Sequence, residues 1–157
     1  MIDKEQRYLG YIKKEHPGLV DNSYAGDALK LTEIIKDTKY DIVVMVGLAQ
    51  YFNDNELRAL LTEIKQVLND DGKVYIKEQH TCSDTALTEK NDWVRSLACF
   101  KSAFDDTGFA SQLVSRFSWD SKHCENLSFV LKPADGPVLV FKNLLKFHSK
   151  IQLSRKM

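Results

Sequence analysis

Two hydrophobic periods alternate along this chain. Residues 4–15 place Tyr8, Leu9, Tyr11 and Ile12 on one side of a helix with charges on the other, and Pro17-Gly18 stops it. Residues 19–25 are a weaker strand candidate, and residues 29–37 a short amphipathic segment. Tyr40-Asp41-Ile42-Val43-Val44-Met45-Val46 is β-branched and apolar at consecutive positions. That pattern predicts a strand buried on both faces at the centre of a parallel sheet. Asn53 with Glu56 three residues on is a capping-box start. Leu57, Leu60, Leu61, Ile64, Val67 and Leu68 then follow the helical period. Asn69-Asp70-Asp71-Gly72 predicts a turn, residues 73–78 a strand, and residues 79–89 a polar loop. Residues 90–106 predict a helix burying Trp93, Val94, Leu97, Phe100 and Phe104, stopped by Thr107-Gly108. Residues 112–117 and 127–132 read as strands with a polar link between them, and residues 133–137 break the pattern.

Strand–helix alternation implies an α/β layered domain with a mostly parallel sheet. Ligands of such sheets bind beyond the carboxyl ends of the strands. The positions to inspect are therefore Asp3, Gly26-Asp27-Ala28, Val46-Gly47-Leu48 and Glu78-Gln79-His80.

A length of 157 residues predicts one domain, and a hydrophobic fraction of 43% excludes a disordered chain. The 22 basic and 22 acidic residues cancel, but unevenly: the last 20 residues carry five bases and no acid, so they are +5 against −5 for the rest. This divides the chain into an acidic body, residues 1–135, and a basic tail, residues 136–157. The balance argues against a nucleic-acid binder. Cys82, Cys99 and Cys124 are odd in number and widely spaced, which suggests neither a disulfide framework nor a zinc site. The longest apolar run has eight residues, too short for a membrane-spanning helix, and no signal core follows Met1, so cytoplasm or nucleus is expected.

The strand-end segments, taken in order, resemble the second half of a class I S-adenosylmethionine-dependent methyltransferase. Ile2-Asp3 matches the acidic end of that family's second strand, and Gly26-Asp27-Ala28 its polar segment after the third. Tyr40-Asp41-Ile42 through Leu68 matches its fourth strand and Leu-rich helix, and Leu68-Asn69-Asp70-Asp71-Gly72 the turn before strand five. Within the family, the chain is most similar to the eukaryotic protein α-N-terminal methyltransferases. Lys77-Glu78-Gln79 stands where these have Lys-Asp-Asn, and residues 91–108 resemble their acidic loop and Arg-containing helix. The family's glycine-rich loop after its first strand has no counterpart. The resemblance thus implies a Rossmann-like methyltransferase sheet lacking its first strand and glycine-rich loop, an N-terminally shortened copy.

The resemblance also implies S-adenosyl-L-methionine as cofactor and the α-amine of a protein N-terminal peptide, X-Pro-Lys/Arg, as methyl acceptor. Small-molecule amine methylation, or a non-catalytic remnant serving as a binding module, are the alternatives. Methyl transfer is an in-line displacement from a sulfonium, so positioning supplies most of the acceleration, and the motifs contain no metal-ligand set. On this basis Asp3 would accept the cofactor's ribose hydroxyls, or else cap the following helix. Asp27, Ala28 and Leu29 would meet the adenine, or form an ordinary turn. Val46 and Gly47 would line the cofactor; Gln50 and Tyr51 would touch substrate. Glu78 and Gln79 would hold the substrate amine, each one methylene longer than its counterpart in the family's Asp-Asn pair. Asn91 falls on the family's second catalytic acid but cannot act as a base; a slip of one residue gives Asp92. Trp119 would wall a peptide groove or pack on the surface, and His80 reads as a solvated loop histidine.

Overall fold

The computed structural model describes residues 1–17, 23–81, 86–87, 92–118 and 125–134. The expectations for Asn91, Trp119, Cys82, Cys124 and the basic tail lie outside these residues.

β1 (Ile2–Asp3) leads into α1 (Gln6–Glu15), and β2 (Tyr24–Ala25) pairs parallel with β1, Ile2 against Tyr24 and Asp3 against Ala25. Of the apolar face expected on α1, Leu9 is buried while Tyr8 and Tyr11 are exposed. A 3-10 turn (Ala28–Lys30) and α2 (Leu31–Ile35) follow and bury Leu31 and Ile35 in the main core.

The main sheet contains β3 (Tyr40–Val46), β4 (Leu68–His80), β7 (Phe109–Ser118) and β8 (Glu125–Pro133), in the order β3-β4-β8-β7. β3 and β4 are parallel, whereas β8 runs antiparallel to both its neighbours. The sheet is therefore mixed, not mostly parallel: six residues separate the end of β7 from the start of β8, too short a span for a crossover connection. The turn expected at residues 69–72 is a bulge within β4, since Tyr40 pairs with Leu68 but Ile42 with Lys73. Gly72 is required there: a Cβ would lie 2.8 Å from the Asn69 carbonyl oxygen and 3.0 Å from that of Tyr40.

α3 (Asp54–Gln66) begins at the expected capping box. Asn53 accepts from the Asn55 and Glu56 amides, both at 3.0 Å, and Glu56 accepts from the Asn53 amide at 2.8 Å. Its Leu57, Leu60, Leu61 and Ile64 pack with Val74 and Ile76 of β4, Phe129 and Leu131 of β8, and Phe100 and Phe104 of α4 (Leu97–Asp106). The three Phe rings lie 5.2–6.0 Å apart, centroid to centroid.

Two expectations fail here for clear reasons. The helix expected from residue 90 starts at Leu97, because Ser96 caps it by accepting from the Cys99 amide at 3.2 Å. Trp93–Val94 instead forms a short strand, β6, antiparallel to β5 (Ala86–Leu87). β3, expected at the centre of the sheet and buried on both faces, is an edge strand. Met45 is buried toward the helices, while Ile42, Val44 and Val46 are 63%, 65% and 60% exposed on the opposite face. Among the described residues no helix layer covers that face.

Candidate functional site

The carboxyl ends of the parallel strands carry the polar residues. At the end of β1, Asp3 is half-buried, and one of its carboxylate oxygens accepts from the Glu5 amide at 2.8 Å. Its other oxygen is not used by that bond. Beside it the Gly26 amide donates to the Asp3 carbonyl at 3.1 Å, so the strand pairing sets Asp3 next to Gly26-Asp27. Asp27 is exposed and caps the 3-10 turn by accepting from the Leu29 amide at 3.0 Å; Ala28 and Leu29 are half-buried against the core. Asp27 thus caps the turn that follows it, whereas Asp3 makes a local turn with Glu5 and does not cap α1, whose N-cap is Glu5.

The second group forms where β3 and β4 end together. The Gly47 amide donates to the Lys77 carbonyl at 2.9 Å, closing the parallel ladder. Gly47 then takes a positive φ of 63°, which a side chain would strain, and turns the chain sharply. The turn sends the Leu48 and Ala49 amides inward, where both donate to one carboxylate oxygen of Glu78, at 2.7 and 2.8 Å. A 3-10 turn (Ala49–Tyr51) follows, carrying half-buried Gln50 and exposed Tyr51 before Asn53 starts α3.

Glu78 lies on the inward alternation of β4 and is 2% exposed. Its Oε2 has no hydrogen-bond partner among the described residues. Burial pushes its carboxyl up to about 7, opposed by the Ala49 and Leu48 amides and by the Arg95 charge. At neutral pH it is therefore partly protonated. Enclosed in this way, the carboxyl is turned toward the backbone of residues 48–49 and away from solvent. Gln79, on the opposite face, is exposed. His80 returns to the buried face and is not the solvated loop histidine expected, because β4 continues through it.

Arg95 was not among the expected site residues. It is 1% exposed, although it lies in the short link between β6 and α4. An isolated parallel bridge to His80, with the Thr81 amide donating to the Arg95 carbonyl at 3.1 Å, fixes its backbone against the end of β4. Its guanidinium donates through Nε to Asp54 at 2.7 Å, through one terminal nitrogen to the Ala49 carbonyl at 2.8 Å, and through the other to the Phe52 carbonyl. An arginine set between Val94 and a capping Ser96 in an apolar stretch was the available signal; its partners, 41 to 46 residues away, had none. Asp92 is half-buried just before β6.

The structure thus gathers Val46, Gly47, Gln50, Tyr51 and Glu78 around one loop. Asp3, Asp27, Ala28 and Leu29 form a second group at the β1–β2 ends, and Asp92 stands beside β6. No helix of the described residues is long and apolar enough to cross a membrane.

Residues 2–76 match the family model of a methyltransferase domain. No curated protein matches the chain. Among solved structures, an S-adenosylmethionine-dependent methyltransferase from Leishmania major is similar at 20% identity and a TM-score of 0.68, over 83% of this chain and 53% of that one. An O-methyltransferase from a polyketide synthase multienzyme of Brevibacillus brevis, in complex with S-adenosyl-L-homocysteine, is similar at 11% identity and a TM-score of 0.63, over 99% and 64%. The magnesium protoporphyrin IX methyltransferase of Synechocystis, with bound S-adenosylmethionine, matches at 13% identity and a TM-score of 0.57, over 82% and 57%. The chain thus has the Rossmann-like fold of class I methyltransferases and spans about half to two thirds of the length of these structures.

Proposed function

We propose that the protein is a methyltransferase that takes its methyl group from S-adenosylmethionine, with the α-amine of a protein N-terminal peptide as acceptor. The observation that carries the reading is the coincidence of the methyltransferase-domain match over residues 2–76 with polar groups at the ends of β1, β2, β3 and β4. The donor set suits the nucleoside half of that cofactor. Asp3 has a carboxylate oxygen to offer a ribose diol, and Asp27, Ala28 and Leu29 form a polar-edged turn against which a purine fits. Val46 and Gly47 line the approach from β3. A glycine-rich turn for the methionine end is not found among the described residues. The uncovered edge of β3 is where the family's first strand would lie.

When bound, the cofactor supplies an electrophilic methyl group on a good leaving group. The protein's part is to orient the acceptor amine in line and to take up one proton. Gln50 and Tyr51 on the loop after β3 would orient the peptide, and Asp92 would accept the proton. The acidic body, −5 over the first 137 residues, favours a basic X-Pro-Lys/Arg terminus.

Calorimetry with S-adenosylmethionine and methyl incorporation into an X-Pro-Lys peptide test this reading. Label on the peptide α-amine supports it. Label on small amines but not on the peptide would replace the acceptor with a small molecule. Absence of cofactor binding would overturn the enzymatic reading in favour of a non-catalytic methyltransferase-fold module.

A further inference from the structure

The loop joining β3 to α3 is held from inside by two buried charged side chains that have no opening to solvent. Glu78 receives the amides of Leu48 and Ala49; Arg95 reaches the carbonyls of Ala49 and Phe52 and the carboxylate of Asp54. Together they meet four backbone groups of a seven-residue connection and the first residue of the helix that follows it.

We infer that Glu78 and Arg95 are a positioning pair that locks the 47–52 loop into one conformation and so fixes where Gln50 and Tyr51 stand. This rests on the proposed role of that loop in meeting the methyl acceptor, and assigns Glu78 a task different from holding the substrate amine. Neither side chain is accessible to a substrate, at 2% and 1% exposure. Each spends its hydrogen bonds on the loop or on the helix start. The loop has few alternatives: after the left-handed Gly47, the Leu48 and Ala49 amides and the Phe52 carbonyl lie off any strand ladder, and the Ala49 carbonyl is otherwise met only by the Phe52 amide at 3.3 Å. Burying two ionisable groups is a poor way to gain stability, since desolvation offsets most of what their bonds return. It is a good way to select one conformation, because a shifted loop leaves charged groups unsatisfied.

The pair also divides the loop between them. Glu78 controls its beginning, just after the β3 ladder ends, and Arg95 its end, where Asn53 and Asp54 open α3. Tyr51, 59% exposed at the crest, is held by neither, but both of its flanks are fixed.

The test is amide hydrogen exchange on the 157-residue protein, wild type against Glu78→Gln and Arg95→Lys, with acceptor KM and kcat measured in parallel. Gln keeps an acceptor oxygen but not the charge, and Lys keeps the charge but not the three-way reach, so both variants retain much of the packing. Expected is exchange about tenfold faster at Leu48, Ala49 and Phe52, with Leu60 and Leu61 in mid-α3 unchanged. Acceptor KM should rise while cofactor affinity holds. Asp106→Ala, which removes the surface pair with Arg58 from its far side, is the control and should leave the loop unchanged. Unchanged loop exchange, or equal acceleration at Leu60 and Leu61, overturns the inference. A loosened loop with unaltered acceptor KM also overturns it, yet leaves methyl transfer standing. If the wild type transfers no methyl group, the proposed function fails, and the pair is judged on the exchange pattern alone.

Discussion

Glu78 is the residue at which burial and charge conflict most directly. Its carboxyl titrates near 7 in the folded protein, against an ordinary value of 4.5. Between these values the folded chain keeps a proton that the unfolded chain has lost. Its contribution is therefore fully present below about pH 4.5 and is lost as pH rises through about 7, by about 3 kcal/mol in all. The charged groups facing it are Arg95 and, beyond Arg95, Asp54. Glu78→Gln should flatten that slope: urea unfolding at pH 5 and pH 8 should differ less in the variant, which should be the more stable protein at pH 8. An unaltered slope would show that Glu78 is not the group responsible. Asp3 gives a separate test of the nucleoside reading. Asp3→Asn keeps an acceptor for the Glu5 amide and loses a charge-assisted bond to a diol, so S-adenosylmethionine should bind about tenfold more weakly, with circular dichroism unchanged.

At the scale of elements, α3 was legible because its signals are local. The Asn53–Glu56 box and the Leu57, Leu60, Leu61 and Ile64 spacing act within one or two turns. Asn53→Ala should cost about 1 kcal/mol, and Leu61→Ala, at a fully buried position, about 2–5 kcal/mol. α4 starts seven residues later than its apolar pattern predicts, because Trp93 and Val94 fit a helical face while the contacts that make them a strand come from residues 86–87. β3 was recognised as a strand, but its surroundings were not. Met45→Ala should cost about 2–5 kcal/mol, while Val44→Thr on the open face should stay within about 0.5 kcal/mol. Thermal melts of the two variants separate a half-covered strand from one buried on both faces, for which both would be costly.

At the largest scale, the described residues leave one face of the parallel β3–β4 pair uncovered, which is unusual because such strands are normally sandwiched between helices. Ile42, Val44 and Val46 form an apolar stripe along an edge that is unpaired among the described residues, the arrangement that most readily recruits another strand. Val44→Lys should raise the soluble fraction at high protein concentration without lowering the melting temperature.

The sequence by itself determined the alternation of elements, the capping of α3, the strand over residues 40–46 closed by Gly47, and the acids Asp3 and Asp27 at or just past the ends of β1 and β2. These depend on periodicity, propensity and short-range hydrogen bonds, which are written within a few residues. Only the tertiary structure decided that β3 is an edge, that the sheet is mixed, and that Glu78 and Arg95 turn inward to hold one loop. Their partners lie 29 to 46 residues away along the chain. A carboxylate facing a substrate and one facing a pair of backbone amides are spelled by the same residue, and only packing tells them apart.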